Sequence, residues 1–267
     1  MQRSSIAIRR NKLEPICIAE ELYVNYEKNP VLWDVSFSIP KGVLVGILGP
    51  NGAGKSSLLK AALGLVKPLS GKIEFFKEPI VKSRQKIAYV PQRQSVDWDF
   101  PITAIQVVLM GRYGKLGLFG RPRKADREAA QRALELVGMA HYADRQISQL
   151  SGGQQQRLFL ARAFLQNPDI FLLDEPFAGV DLTTEQEIMQ LLKGQKDEGK
   201  TIFIVHHDLP SVESYFDWVV LLNTRLIASG PVSEVFHAEN LAKTFGKTQP
   251  VFDEAASLAI HKARGYL

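Results

Sequence analysis

The sequence predicts an α/β fold in which a largely parallel sheet is interrupted by an inserted helical segment. Three observations point there. Residues 43–48 form a short, nearly all-apolar run that fits a strand buried on both faces, and a glycine-rich turn and a helical pattern follow it. Between residues 95 and 166 helical periodicity takes over. Strand-like runs then return from Ile170 onward, so the order is β/α, helical insertion, β/α.

Residues 1–13 read as an N-terminal arm, and strands are expected over 16–20 and 35–39. Pro40-Lys41-Gly42 makes a turn into the apolar strand 43–48. A helix over 55–63 ends near Gly64, and short strands follow at 73–76 and 87–90. The insertion holds helices over 125–137 and 154–165, the second stopped by Asn167-Pro168. Further strands are expected over 170–173, 201–205, 218–222 and 226–228. A helix over 184–196 opens with Thr184 and Glu187 at capping-box spacing and turns Ile188, Leu191 and Leu192 to one face. Residues beyond 245 read as a C-terminal tail.

With 267 residues there is room for one sizeable core and a smaller lobe. The apolar fraction of 45% and charged fraction of 23% are those of an ordinary globular protein. Uncharged stretches are too short for a membrane span; one of them, 100–111, is broken by Pro101. Arg3, Arg9 and Arg10 precede no apolar stretch, so no secretory signal is expected. The single cysteine, Cys17, excludes an internal disulfide, fits a reducing cytosol and reads as a small core residue. A net charge of +5 is too mild to argue for nucleic acid. Basic residues concentrate in the N-terminal arm and at Arg112, Lys115, Arg121, Arg123, Lys124, Arg127 and Arg132; this second group is either solvated surface or a contact for an acidic partner or anionic lipid.

Gly49-Pro50-Asn51-Gly52-Ala53-Gly54-Lys55-Ser56 fits G-x-x-x-x-G-K-[ST] between a buried strand and a helix. Its glycines let backbone N–H groups wrap phosphate oxygens at a helix N-terminus. Lys55 is expected to reach the β- and γ-phosphates, and Ser56 to ligate Mg²⁺; Ser57 completes the nucleotide-binding set. The apolar run 170–173 ends in Asp174 and Glu175. At the carboxyl end of a parallel strand Asp174 can hold Mg²⁺, and Glu175 can polarise an attacking water. Leu150-Ser151-Gly152-Gly153-Gln154 reads as an exposed helix start with Ser151 as N-cap, a second anion site far in sequence from the first.

At this point the chain resembles an ATP-binding cassette (ABC) ATPase over residues 14–245, with the helical subdomain at about 95–166. Gly49 to Ser56 is similar to the Walker A loop, Leu173-Asp174-Glu175 to Walker B, and Leu150 to Gln154 to the family signature. Gln92 matches the Q-loop glutamine, Tyr26 the aromatic beneath adenine, and His207 the switch histidine at the γ-phosphate. The resemblance implies a P-loop ATPase core of mixed, largely parallel sheet with an N-terminal antiparallel β region. It implies Glu175, His207 and Gln92 as catalytic residues, and Ser56, Gln92 and Asp174 around the Mg²⁺ of Mg-ATP. It further implies a head-to-tail pair of copies, in which Ser151, Gly152, Gly153 and Gln154 serve the partner's ATP and Asp181 lies at the interface. Ala178-Gly179-Val180-Asp181 departs from the family's usual Ser-Ala-Leu-Asp, and His206 stands where many relatives have threonine.

A lone cassette of this kind implies integral membrane permease subunits as partners, an extracytoplasmic metal-binding protein reached indirectly, and no nucleic acid. It implies a peripheral place at the cytoplasmic face of a bacterial membrane. Residues 95–101 and 107–114 are the expected permease contact. Pro91-Gln92-Arg93, Val96-Asp97-Trp98-Asp99-Phe100-Pro101 and Met110-Gly111-Arg112-Tyr113-Gly114 resemble the cassettes of manganese, zinc and chelated-iron importers, with manganese the first choice. A soluble cassette acting on ribosomes or DNA is the competing class; it usually has tandem cassettes or coiled-coil insertions, neither of which is seen in this sequence.

Overall fold

The computed structural model describes residues 14–26, 29–116 and 120–246, with nothing said of the side chains of Tyr26 and Asn29. The expected arm 1–13, and the expected tail apart from Gly246, lie outside the described residues.

Two sheets form the frame. The first is antiparallel, in the order β2-β1-β4, from β1 (Pro15–Tyr26), β2 (Asn29–Pro40) and β4 (Ser70–Phe75). The second has six strands in the order β5-β6-β7-β3-β8-β9. These are β3 (Leu44–Leu48), β5 (Ile87–Val90), β6 (Ile170–Asp174), β7 (Thr201–Val205), β8 (Trp218–Asn223) and β9 (Arg225–Pro231). All its neighbours are parallel except β8 and β9, which pair antiparallel.

The central strands alternate between two cores. Leu44, Leu48, Phe171, Leu173, Ile202 and Ile204 face the helical side. Val45, Ile47, Ile170, Leu172, Phe203 and Val205 face the antiparallel sheet. Both faces are covered, which is why these runs are apolar throughout. Cys17 belongs to the second core, where burial pushes its thiol up, in keeping with a packing role.

β1 and β2 are much longer than the expected 16–20 and 35–39. Register shifts between Ala19 and Leu22, and left-handed backbone at Glu21 (φ 44°) and Asp34 (φ 54°), break the two-residue period. Beyond the breaks Leu22, Val24 and Leu32 are fully buried.

The helices are α1 (Lys55–Ala62), α2 (Ile80–Ser83), α3 (Ala104–Leu109), α4 (Tyr113–Leu116), α5 (Lys124–Leu136), α6 (Gly152–Gln166), α7 (Leu182–Asp197), α8 (Val212–Tyr215), α9 (Val232–Val235) and α10 (Ala238–Phe245). Helix α1 stops at Gly64, whose φ of 69° suits glycine. α3, α5 and α6 pack together as the helical lobe, joined to the helix-side core through Val108, Leu134 and Leu158. No helix among the described residues is long and apolar enough to cross a membrane.

Two expectations need correction. Helix α7 is capped by Asp181, not by a Thr184–Glu187 box: Thr184 N donates to Asp181 Oδ1 at 2.9 Å and Thr184 Oγ1 to Oδ2 at 2.8 Å. An aspartate one turn earlier outcompetes the threonine, and Glu187 pairs with Arg157 instead. Arg112 is not a free surface cation, because its Nε donates to Asp126 Oδ1 at 2.9 Å. That carboxylate also accepts from Arg123 N, and the two hydrogen bonds hold it below its usual range. Lys115, Arg121, Arg123, Lys124, Arg127 and Arg132 are exposed.

Phe171 is fully buried in β6, edge-on to Phe164 of α6 at 5.7 Å. Phe171→Ala is expected to lower unfolding free energy by about 3–5 kcal/mol, read by urea denaturation.

Candidate nucleotide site

In the parallel sheet β3, β5, β6 and β7 are neighbours, so the loops after them open on one edge. Those loops deliver Gly49 to Lys55, Gln92, Asp174 with Glu175, and His206 with His207.

The glycine loop is shaped by close approach. A Cβ on Gly49 would stand 2.0 Å from the Leu222 carbonyl oxygen, and one on Gly54 would stand 2.5 Å from Leu32 and 2.7 Å from the Val31 oxygen. Gly52 and Gly54 adopt φ of 81° and 94°, which glycine tolerates best. Ala53 N donates to the Pro50 carbonyl at 3.1 Å, closing the turn. Lys55 is only 6% exposed, and its Nζ donates to the carbonyls of Gly49 (2.8 Å) and Pro50 (2.9 Å). Burial lowers its pKa, opposed by the negative charges of Glu175 and Asp174.

Asp174 is 1% exposed and accepts from Ser56 Oγ at 2.9 Å. Burial raises its pKa; the Ser56 hydrogen bond works against that shift and the nearby Glu175 charge adds to it. Glu175 follows with φ 52°, a left-handed backbone unusual for glutamate. Gln92 Nε2 donates to Glu175 Oε2 at 2.8 Å, and His207 Nδ1 lies 3.9 Å from Oε1. From α6, Gln156 Nε2 reaches the Glu175 carbonyl at 3.4 Å. A carboxylate held through one oxygen at the wall of an open cavity can take a proton from water.

These groups line a cavity of about 660 Å³: residues 51–57 with Val31, Gln92, Glu175 and His207. Asn51, Gly52, Ala53, Gly54, Lys55, Ser56 and Ser57 thus share one wall, while Asp174 lies behind Ser56. Val31 was missed; it reaches the loop from β2, its carbonyl oxygen 2.7 Å from where a Gly54 Cβ would stand, and no local pattern signals a contact between elements so far apart in the chain. Tyr26 ends β1, but its side chain lies outside the described residues.

Ser151 to Gln154 line a separate cavity of about 600 Å³, with Gly179, Val180, Asp181, Tyr142 and Arg157 among its other walls. Ser151 caps α6 as expected: Gln154 N donates to Ser151 Oγ at 3.4 Å and Ser151 N to Gln154 Oε1 at 2.9 Å. Arg157, absent from the sequence reading, follows Gly153 by one helical turn and so shares its face.

His206, left without a role by the sequence, is a packing residue. It is 3% exposed among Phe177, Tyr215 and Phe216, its Nε2 lies 2.7 Å from Ser211 Oγ, and its ring stacks parallel to His207. Burial lowers its pKa from 6.5 to about 4. The unfolded chain therefore binds the proton first as pH falls, and the stability present above 6.5 is lost toward pH 4. His206 is expected to remove about 2 kcal/mol between about pH 7 and pH 5. His206→Asn should be less stable throughout and lack that increment, read by urea denaturation at both pH values.

The ABC transporter family model matches residues 32–178. The manganese transport system ATP-binding protein MntB of Bacillus subtilis is 59% identical over 227 residues, 85% of this chain and 91% of that protein. The zinc transport system ATP-binding protein TroB of Treponema pallidum is 51% identical over 249 residues, 92% and 94% of the two chains. Among solved structures, CbiO1 from Clostridium perfringens, part of the ABC transporter complex CbiONQ, superposes with a TM-score of 0.71 at 32% identity, covering 91% of this chain and 99% of that one. Sequence likeness at this level, covering more than nine-tenths of these relatives, joins the fold and the phosphate loop in one conclusion: the chain belongs to the ABC transporter family and is one of its ATP-hydrolysing members.

Proposed function

We propose that this ATPase energises a membrane permease that imports a divalent metal ion, manganese before zinc or chelated iron. The likeness to manganese transport proteins at up to 59% identity carries the choice of cargo. The cassette would span 14–245, with a helical subdomain of about 95–166, and sit at the cytoplasmic face of the bacterial membrane. Its partners would be a second copy, the permease subunits and, through them, an extracytoplasmic metal-binding protein; no nucleic acid enters.

The division of the site into two cavities supports a head-to-tail pair. Residues 49–57 would hold the phosphates of one ATP, with Tyr26 beneath its adenine. Ser151, Gly152, Gly153 and Gln154 would close over the ATP of the other copy, Asp181 lying at the seam. Lys55 would exchange the carbonyls of Gly49 and Pro50 for phosphate oxygens, a stronger charge-assisted bond. Glu175 would accept the proton of the attacking water, its carboxylate aimed by Gln92, and His207 would face the γ-phosphate.

Ser56 Oγ, the Asp174 carboxylate and the Gln92 side-chain oxygen are hard oxygen donors, a set that fits Mg²⁺. Bound with ATP, Mg²⁺ would neutralise charge on the β- and γ-phosphate oxygens. Asp174 resists ionisation through burial, so its carboxylate is best stabilised when a cation is beside it.

Toward the permease, Phe100, Met110 and Tyr113 are 55%, 40% and 51% exposed and would supply the contact. Val107, Val108 and Leu109 face the lobe's core, and Trp98 is held inward against Phe159.

Glu175→Gln keeps the shape that Gln92 grips and removes the base. It is expected to bind ATP normally, lose at least about a hundredfold in turnover, and accumulate as an ATP-bound dimer in size-exclusion chromatography. Unchanged turnover would remove Glu175 from the role. Metal-uptake assays on cells lacking the chain should show loss of ATP-dependent manganese entry; entry unaffected, with the chain recovered on ribosomes or DNA, would favour the non-transport class.

A further inference from the structure

Arg93 has no part in the scheme above, yet its guanidinium stands where three loops meet. It directly follows Gln92 in a tight turn, which Ser95 closes by donating from N (3.0 Å) and Oγ (2.7 Å) to the Gln92 carbonyl. Its Nε donates to Oε1 of Gln155 at 2.7 Å. Gln155 is 3% exposed in the first turn of α6, and its own amide nitrogen is taken by the Ile147 carbonyl at 3.3 Å. The guanidinium also covers the two neighbouring glycines. A Cβ on Gly152 would meet Arg93 Cζ and Nη1 at 3.2 Å, and one on Gly179 would lie 3.9 Å from Nη1. The Arg93 carbonyl accepts from Trp98 Nε1 at 2.8 Å, and the Trp98 ring sits edge-on to Phe159 of α6 at 5.2 Å.

These contacts close a ring around the reacting carboxylate. Glu175 Oε2 is held by Gln92, the next residue Arg93 holds Gln155, and the next residue Gln156 holds the Glu175 carbonyl. The Arg93–Gln155 bond is the link between the turn after β5 and the turn that opens α6. Removing either partner leaves the other without its hydrogen bond, and Gln155 is in a site too buried for water to replace it freely.

We propose that Arg93 is a positioning residue whose bond to Gln155 locks the Glu175 carboxylate and the Ser151–Gln154 turn into one body. Each copy would then move its own water-activating group together with the turn it lends to the other copy's ATP. This deepens the head-to-tail reading above and rests on it. Gly152 acquires a local reason as well, since a Cβ there would press on the guanidinium at 3.2 Å and make it give by a few tenths of an ångström.

The test is steady-state ATP hydrolysis by the full chain carrying Arg93→Ala, Gln155→Ala or both, with thermal melts alongside. Each single variant should lose about tenfold in kcat through misplacement of groups. KM for ATP should stay within about twofold, because neither residue faces the phosphate loop. The double variant should be no worse than either single, as expected for one shared interaction. A second arm uses mixed pairs in which one copy carries Arg93→Ala together with Glu175→Gln. The only ATP then cut faces the altered copy's Ser151–Gln154 turn, and turnover should again fall about tenfold against pairs carrying Glu175→Gln alone. Unchanged kcat, multiplying losses in the double variant, or an unaffected mixed pair would overturn the proposal. An inactive wild-type chain, or Glu175→Gln as active as wild type, would instead overturn the reading on which it rests.

Discussion

The site depends on the register of four parallel strands. Asp174 and Ile47 both pair with Val205, and Val90 pairs with Leu173, so the loops that follow leave the sheet at one level. A slip of one residue would turn each strand's buried alternation inside out, exchanging the residues of one core for those of the other. The burial that stabilises the sheet therefore also sets the spacing between the glycine loop, the carboxylates, Gln92 and the histidines. Gly49 marks how closely this is drawn, with the Leu222 carbonyl of the next strand occupying the place of a side chain.

Within that frame two charged groups, Lys55 and Asp174, are both buried and both disfavoured as ions by that burial. Lys55 is held by two backbone carbonyls and Asp174 by the Ser56 hydroxyl. Neutral dipoles are adequate partners for such groups but weak ones compared with opposite charge. A triphosphate carrying a divalent cation would supply each with what it lacks, an anion for Lys55 and a cation for Asp174. Binding affinity and the shifts of Lys55 and Asp174 are then two views of one electrostatic arrangement.

Much of this was legible in the sequence because it is local. The phosphate loop, the buried strand before it, the capped start at Ser151 and the stop at Asn167-Pro168 are each specified within a few residues. The ends of β1 and β2 were not, because bulges at Glu21 and Asp34 interrupt the alternation that reveals a strand. Asp181 was read only through family resemblance, while its local work as a helix cap passed to Thr184 by mistake; two good caps three residues apart cannot be ranked by spacing. Val31, Arg157 and Arg93 were missed for another reason. Their partners lie across the sheet or 30 and 62 positions away in the chain, and no periodicity encodes such meetings.

The segment joining β6 to α7 is fastened at both ends. At its start Glu175 sits in a left-handed conformation, gripped by Gln92 and Gln156. At its finish both oxygens of Asp181 are engaged by Thr184. Slack is confined to the few residues between, where Gly179 provides a swivel with φ 75°. Such a strap would transmit a pull and absorb little of it: were Asp181 to lie at a seam between two copies, a displacement there would arrive at the Glu175 carboxylate with its direction kept.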